Sequence, residues 1–474
     1  MQRIFFSLLI FVGIVWSVAT TSGADLSDQH SKSETIKDYH ISNPDLTKPD
    51  ITKLDVLDLK TAKAIALAQN PSLKAAMERV RQAKERVAQA RSRYFPRLDA
   101  DGSASRLWRS DSALETARQL GNVDDPEDRF TAGLSATYVL FDGFERKFAN
   151  ASVRYGEQET KGAEMDARRL LLSAVARNFY EAQLAKEDIA IATAAEAFNQ
   201  RQVVEAEARL RVGTGSLSDV LNFQIQANSA KFNFNLAKQS YQVSMIGLAA
   251  LLGFSEAGFP GEIKLAFLEN ETPEELNLPE KDPLIAYSFE HRPDVIQAKS
   301  TVKRTESDIG EARAGFFPTI DLAGTYDSLR ADDIGFEGDD FGGSVALRLT
   351  YNLFAGGLTK ARVREAESRK AEAESALENV SIEVSSDVRQ SMETLKLAQA
   401  QLALERSNAK LVKQNRDLVE KEYTAGQTSL VRLNEAQRDL TNAQSRLALA
   451  LVGLRLAWQN LDAATGKILI SFTP

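Results

Sequence analysis

Three charges follow two glycines in this chain: Asp219 after Gly213, and Arg432 and Glu435 after Gly426. Arg432 and Glu435 stand three apart on one face of a helix-compatible stretch, where an ion pair contributes about 0.3 kcal/mol. What these groups offer is electrostatic: they pair, repel or set a field, and they make and break no bond. Little else competes with them. The chain has no cysteine, which excludes disulfides, thiolate metal sites and a lipid on an N-terminal cysteine. His30, His40 and His291 are scattered, without the clustered partners that a metal or a general base requires. With no nucleophile–base constellation, no Gly-rich phosphate loop and no metal-ligand cluster, the sequence predicts no catalysis, no cofactor and no metal. A formal net charge of −8 favours solubility and gives no support to nucleic-acid binding.

The elements that position these charges come in two copies. Arg93-Tyr-Phe-Pro-Arg-Leu-Asp99 returns as Gly315-Phe-Phe-Pro-Thr-Ile-Asp321, 222 residues later, and Pro71 and Gly102 return at that offset as Pro293 and Gly324. Further on the offset is 213: Phe141-Asp-Gly143 matches Phe354-Ala-Gly356, and Gly213 matches Gly426. Nine residues are therefore lost from the second copy between Gly324 and Phe354. One structural unit is used twice.

Prolines are absent from residues 127–259 and 319–473, and both intervals are rich in strong helix formers. From Gly143 to Gly213, and from Gly356 to Gly426, the chain is helix-compatible for about 70 residues, or roughly 100 Å. Helices this long must lie along other helices. Leu397, Leu404, Leu411 and Leu418 recur at seven, and beyond Gly426 a stripe from Leu430 to Leu461 alternates steps of three and four. Ala436, Ala443, Ala450 and Ala457 form a parallel small-residue stripe, echoed by Ala230, Ala237 and Ser244. Taken alone, these helices also suit a coiled-coil tether.

Between them lie four alternating segments. Leu98, Ala100, Gly102 and Ala104 oppose Asp99, Asp101, Ser103 and Ser105, and residues 130–140 alternate more cleanly. Ile320, Leu322, Gly324 and Tyr326 form the third apolar face, and Val345, Leu347, Leu349, Tyr351 and Leu353 the fourth. Strands of about ten residues with one apolar and one polar face suit a bilayer-spanning barrel with a wet interior. Phe141, Tyr138, Tyr351 and Phe354 fall where an aromatic girdle belongs, and the Asp/Gly/Arg-rich loops 110–128 and 329–340 suit an outer face. Four strands cannot close a barrel, and open edges in lipid leave backbone groups unpaired. Closure needs two chains or three, and a water-filled lumen favours three.

Residues 57–71, ending Ala-Gln-Asn-Pro71, together with Glu290-His-Arg-Pro-Asp-Val295 and the Ala-Arg-Ala-Gly-Phe-Phe-Pro318 run, resemble the TolC family of outer-membrane channel proteins from about Leu57 to Gly466. The resemblance implies a mixed α and β membrane protein: a long α-helical coiled-coil barrel continued by a transmembrane β-barrel, with four strands per chain, closed by homotrimerisation. It implies a cell outer membrane location extending into the periplasm. The implied role is a passive exit duct for type I secretion or multidrug and solute efflux. Its partners would be a periplasmic adaptor, an inner-membrane ABC or RND-type pump, and outer-membrane lipid. The family's hairpin tips fall at Val212-Gly213-Thr214 and Ala425-Gly426-Gln427, the expected adaptor-docking tips. The family usually carries Asp-x-x-Asp just past the second glycine, ringing a periplasmic gate. Here Arg432 and Glu435 occupy those positions, opposite Asp219 and Asn222 in the first copy, so one ring is reversed in sign. Arg432 would either mix the charge of the constriction or bridge to Asp219 on a neighbouring hairpin.

The expected organisation is then a secretory signal over 1–24, read from Arg3, an apolar stretch over 4–19 and Ser22-Gly-Ala24. A periplasmic arm follows over 25–56. The first repeat spans 57–252, with strands near 97–108 and 130–141, and a Pro-rich equatorial linker covers 253–283. The second repeat spans 284–463, with strands near 319–328 and 343–354, before a tail over 464–474.

Overall fold

Duplicated sequence folds into duplicated elements in the computed structural model, which describes residues 55–120, 126–261, 263–331 and 333–472. The signal and all but the end of the arm lie outside the described residues, as do His30 and His40. Each repeat begins with a short helix and a longer one: α1 Leu59–Gln69 and α2 Pro71–Ser92, then α6 Lys281–His291 and α7 Pro293–Ala314. Pro71 and Pro293 open their helices, where a missing N–H costs nothing. Asp58 caps α1 by accepting from the Thr61 amide at 2.7 Å. The long helices match residue for residue: α4 Glu145–Arg211 and α8 Leu358–Thr424 have 67 residues each, and α5 Leu217–Leu252 and α9 Leu430–Thr465 have 36 each.

Among the described residues the chain forms two compact units, one of residues 82–158 and 300–374, the other of residues 55–81, 159–299 and 375–472. The first holds a four-stranded antiparallel sheet, β2 Arg97–Leu107, β3 Glu127–Phe141, β5 Thr319–Ala331 and β6 Gly342–Thr350, in the order β2-β3-β5-β6. Its register places Ala100 against Leu134, Leu134 against Tyr326 and Leu322 against Leu347, which gathers one apolar face. The other face carries hydroxyl pairs at repeat-equivalent places, Ser103–Thr131 at 2.8 Å and Thr325–Ser344 at 2.9 Å. β3 and β5 run longer than the alternation indicates, and β6 ends at Thr350 instead of continuing to Phe354. The reason lies in its partner: β5 begins at Thr319, directly after Pro318, which has no N–H to extend the ladder. The loop between β2 and β3 contains a helix, α3 Asp111–Leu120, where only a loop was expected.

The second unit holds a parallel pairing of two short strands, β1 Val56–Leu57 and β4 Lys264–Leu265. Around them Leu57, Ile65, Val175, Phe179, Leu248 and Leu252 form a buried core. The stretch expected as linker therefore contains β4 and a 3-10 turn at Glu274–Leu276, and α6 begins within its last residues. At the other end α9 runs past 463 to Thr465.

The heptad leucines of α8 differ from expectation. Leu397, Leu404, Leu411 and Leu418 are all exposed in the single chain, and the buried heptad is Val388, Leu395, Leu402 and Ala409. The two stripes are offset by two residues, about 200° around the helix. α8 is thus apolar on opposite sides, and only one is covered. α5 shows the same division: Val220, Phe223, Ala227 and Ala230 are buried, while Leu221, Ile225, Phe232 and Leu236 are exposed.

Candidate functional site: the hairpin tips

The two helical hairpins turn through the same five-residue plan. Gly213 and Gly426 adopt left-handed backbone, with φ of 77° and 74°. Each ends its helix with the Schellman pair of bonds: Thr214 N donates to Arg209 O at 2.9 Å and Gly213 N to Leu210 O at 3.1 Å, repeated by Gln427 to Glu422 at 2.8 Å and Gly426 to Tyr423 at 3.0 Å. A Cβ at either glycine would meet nothing within 4 Å, so the backbone angle alone selects glycine here. Ser216 and Ser429 then cap the returning helices, accepting from the amides of Asp219 at 3.1 Å and Arg432 at 3.4 Å. Val212, Gly213, Thr214, Ala425, Gly426 and Gln427 all stand exposed at the two turns.

Asp219 is half-buried, whereas Arg432 and Glu435 are exposed on the first turns of α9. No salt bridge joins Arg432 to Glu435 or to Asp219 within the chain. The geometry brings other residues together instead. The Arg209 guanidinium lies over the Tyr423 ring at 5.0 Å, and the Phe223 ring meets the same tyrosine edge-on at 6.3 Å. Asn434 donates to Asn222 Oδ1 at 2.9 Å, tying α9 to α5. Beneath these contacts Phe198, Val203, Val220, Leu433 and Ala436 form a small buried core shared by both hairpins. Burial pushes the Tyr423 phenol above its ordinary value, with Arg209 opposing. Tyr423 was missed in the sequence because its repeat equivalent is Leu210; that break in the repeat, three residues before Gly426, is the signal that marks it.

Beyond this core a cleft of about 490 Å³ opens among α4, α5 and α9, lined by carboxamides including Asn199, Gln226, Asn233 and Gln437. Such a lining offers hydrogen bonds of either sense to a polar solute. Among the described residues, no group of three or more His, Asp or Glu is arranged to hold a metal ion. His291 stacks on Tyr287 at 4.0 Å and its Nδ1 lies 3.0 Å from that residue's carbonyl oxygen, a local packing role. No described helix is long and apolar enough to cross a membrane.

The model of the outer membrane efflux protein family matches residues 64–254 and 284–467, and the chain belongs to that family. It is 27% identical over 410 residues to the pyoverdine export outer membrane protein OpmQ of Pseudomonas aeruginosa, covering 85% of this chain and 82% of that one. It is 24% identical over 409 residues to the outer membrane efflux protein BepC of Brucella suis, covering 85% and 84%. The fold is that of the outer membrane protein VceC from Vibrio cholerae: TM-score 0.73 at 20% identity, over 86% of this chain and 96% of the other. The protein is an outer-membrane efflux channel that extends into the periplasm.

Proposed function

We propose that three copies of this chain form the exit duct of a tripartite export system, closing a twelve-stranded barrel over a periplasmic helical tunnel. The observation that carries this reading is the sheet: one apolar face, one polar face, and edges β2 and β6 with no strand partner among the described residues. An open edge is untenable in lipid, and β6 of one copy pairing with β2 of the next removes it. The uncovered stripes of α5 and α8 support the same assembly, because each helix of a closed ring needs a neighbour on both sides. Residues 253–283, the end of the arm and the tail form an equatorial collar in this reading.

The exposed turns at Val212–Thr214 and Ala425–Gln427 are the docking points for a periplasmic adaptor, and an ABC or RND-type pump in the inner membrane supplies the energy. Asp219, Arg432 and Glu435 form the periplasmic gate. With its three positive charges beside three negative ones, the ring at Arg432 and Glu435 weakens the cation preference that an all-acidic ring would impose. Planar-bilayer recordings test the gate: Arg432→Asp should raise cation selectivity and alter conductance, and a variant unchanged in both removes the gate assignment. Photo-crosslinkers replacing Thr214 or Gln427 in cells should capture an adaptor with its pump; capture of neighbouring copies alone removes the docking assignment.

A further inference from the structure

We propose that a cleft at the foot of the sheet binds one zwitterionic phospholipid per chain, with an acyl chain along Phe144, Phe148 and Phe317 and the head group among Glu306, Arg313 and Lys370. This rests on the reading of the sheet as a bilayer-spanning barrel and names the lipid site that goes with it.

The cleft, of about 450 Å³, lies where β3 turns into α4 and α7 leads into β5. Three observations aim it at the membrane. The first is a bulge. In the β3–β5 ladder Tyr138 faces Leu322, Val139 faces Asp321, and Phe141 faces Ile320, so Leu140 is the extra residue. Without that bulge Phe141 would fall on the polar face; with it, Phe141 joins the apolar face beside Ile320. Its ring meets Phe144 edge-on at 5.5 Å, and Phe144 meets Phe317 at 6.4 Å. The apolar face of the sheet therefore continues, ring by ring, into the cleft.

The second is backbone strain. Phe144 has φ of 70°, where a bulky side chain is an outlier. Its repeat equivalent is Gly357, with φ of 84°. The second copy thus uses the residue that this turn prefers, and the first copy holds a phenylalanine there, 52% exposed at the lip of the cleft. Packing within the chain does not account for so exposed a ring; an apolar surround does. Opposite it, a Cβ at Gly310 would overlap the Phe148 ring, so this glycine lets the ring lie flat on α7 and form the wall.

The third is the charge of the rim. Lys370 Nζ lies 3.4 Å from Glu306 and 3.7 Å from Glu374, and Arg313 lies 3.2 Å from Glu367. Glu306, Arg313 and Lys370 line the cleft, and Glu367 and Glu374, just outside the lining, pair with its two cations; together they offer both signs to a head group that carries one phosphate and one ammonium. An anionic lipid would bring a further negative charge to a rim already rich in carboxylates.

Native mass spectrometry of the full-length protein in detergent, with phosphatidylethanolamine or phosphatidylglycerol added at equal concentration, reads this directly. The wild-type trimer should retain one phosphatidylethanolamine per chain and bind phosphatidylglycerol at least fivefold less. Phe144→Gly introduces the residue that the turn favours, so it should melt no lower than wild type while retaining at least tenfold less lipid. Arg313→Gln with Lys370→Gln should lose the preference between the two lipids. Equal retention by Phe144→Gly, equal binding of both lipids by wild type, or a wild-type trimer free of lipid because a neighbouring copy fills the cleft, each overturns the proposal. A preparation that is neither trimeric nor conducting fails at the duct reading instead, so the two failures separate.

Discussion

Arg292 donates from Nη1 to the carbonyl oxygen of Ala464 at 3.0 Å, and the Asn70 amide donates to the carbonyl of Leu251 at 2.9 Å in the equivalent place of the first repeat. Both bonds satisfy an orphan carbonyl at the end of a 36-residue helix from the residue before a helix-opening proline. Next to them Gly466 and Gly253 take left-handed backbone, with φ of 80° and 91°. The duplication has thus kept the function of the joint while exchanging an amide for a guanidinium.

The exchange carries a consequence. Arg292 is 3% exposed and also pairs with Asp294 at 2.6 Å and Asp387 at 2.9 Å. Burial favours the neutral form of the Asp294 carboxyl, but the bonds and charge of Arg292 prevail and hold it below the ordinary aspartate value. Arg292→Ala should lower stability by about 2 kcal/mol, because it strands the half-buried Asp294 carboxylate and reopens the end of α9. Asn70→Ala, which strands no charge, should cost about 1 kcal/mol. Thermal unfolding of both variants in micelles checks the ratio.

Lys63 is 6% exposed, and burial brings its pKa down to about 8 against the opposing charge of Asp462, while its Nζ donates to Gln459 at 2.5 Å. The folded chain releases this proton near pH 8, whereas an unfolded chain keeps it until about 10.5. Between those values unfolding takes up a proton, so rising pH favours the fold through this group. Its contribution across the window is at most about 3 kcal/mol. Lys63→Met should flatten that rise relative to wild type, seen as the difference between denaturant midpoints from pH 8 to 10. The window lies well above carboxylate titration, so Asp462 does not confound it.

Glycines with the same backbone angle should respond differently to alanine. At Gly213 and Gly426 there is open space, so alanine meets only the left-handed strain, about 1–2 kcal/mol. At Gly143, with φ of 66°, a Cβ would also come within 2.6 Å of Ala314 O and 2.8 Å of Phe317 Cβ. Gly143→Ala should lower folded yield severely where Gly213→Ala and Gly426→Ala do not. Expression and melting of the three variants side by side decide it.

Tyr423→Ala removes the contacts with Arg209 and Phe223 that couple the hairpins. Cation–π and edge-on ring contacts of this kind contribute about 1 kcal/mol each. Hydrogen exchange should quicken over residues 205–225 and 419–436 and stay unchanged in the core around Phe179. Exchange that quickens equally in both regions would mean that the tyrosine supports the whole fold, not the tip.

Much of this architecture was legible because long elements announce their period. The paired long helices follow from two proline-free intervals closed by glycines, and the strands from unbroken alternation. What escaped is short or tertiary. β1 and β4 have two residues each, too few for any periodicity. The leucine heptad of α8 pointed to the wrong side, since a helix with two apolar stripes does not reveal which one its own chain covers. At the tips, it was the family resemblance that pointed to the charges at Asp219, Arg432 and Glu435. The contacts that organise the tips, Arg209 over Tyr423 and Asn434 to Asn222, join residues more than 200 apart and become visible only in the fold.

The equal lengths of the twin helices constrain how this chain can change. Deleting one residue from α4 would turn everything beyond it by about 100° and draw it back by about 1.5 Å. Its untouched twin would then end on another level. The nine residues missing from the second copy lie outside the long helices, where the loss moves no tip. The reach of the hairpins is therefore inherited in pairs, and evolution can retune it only in steps taken by both copies at once.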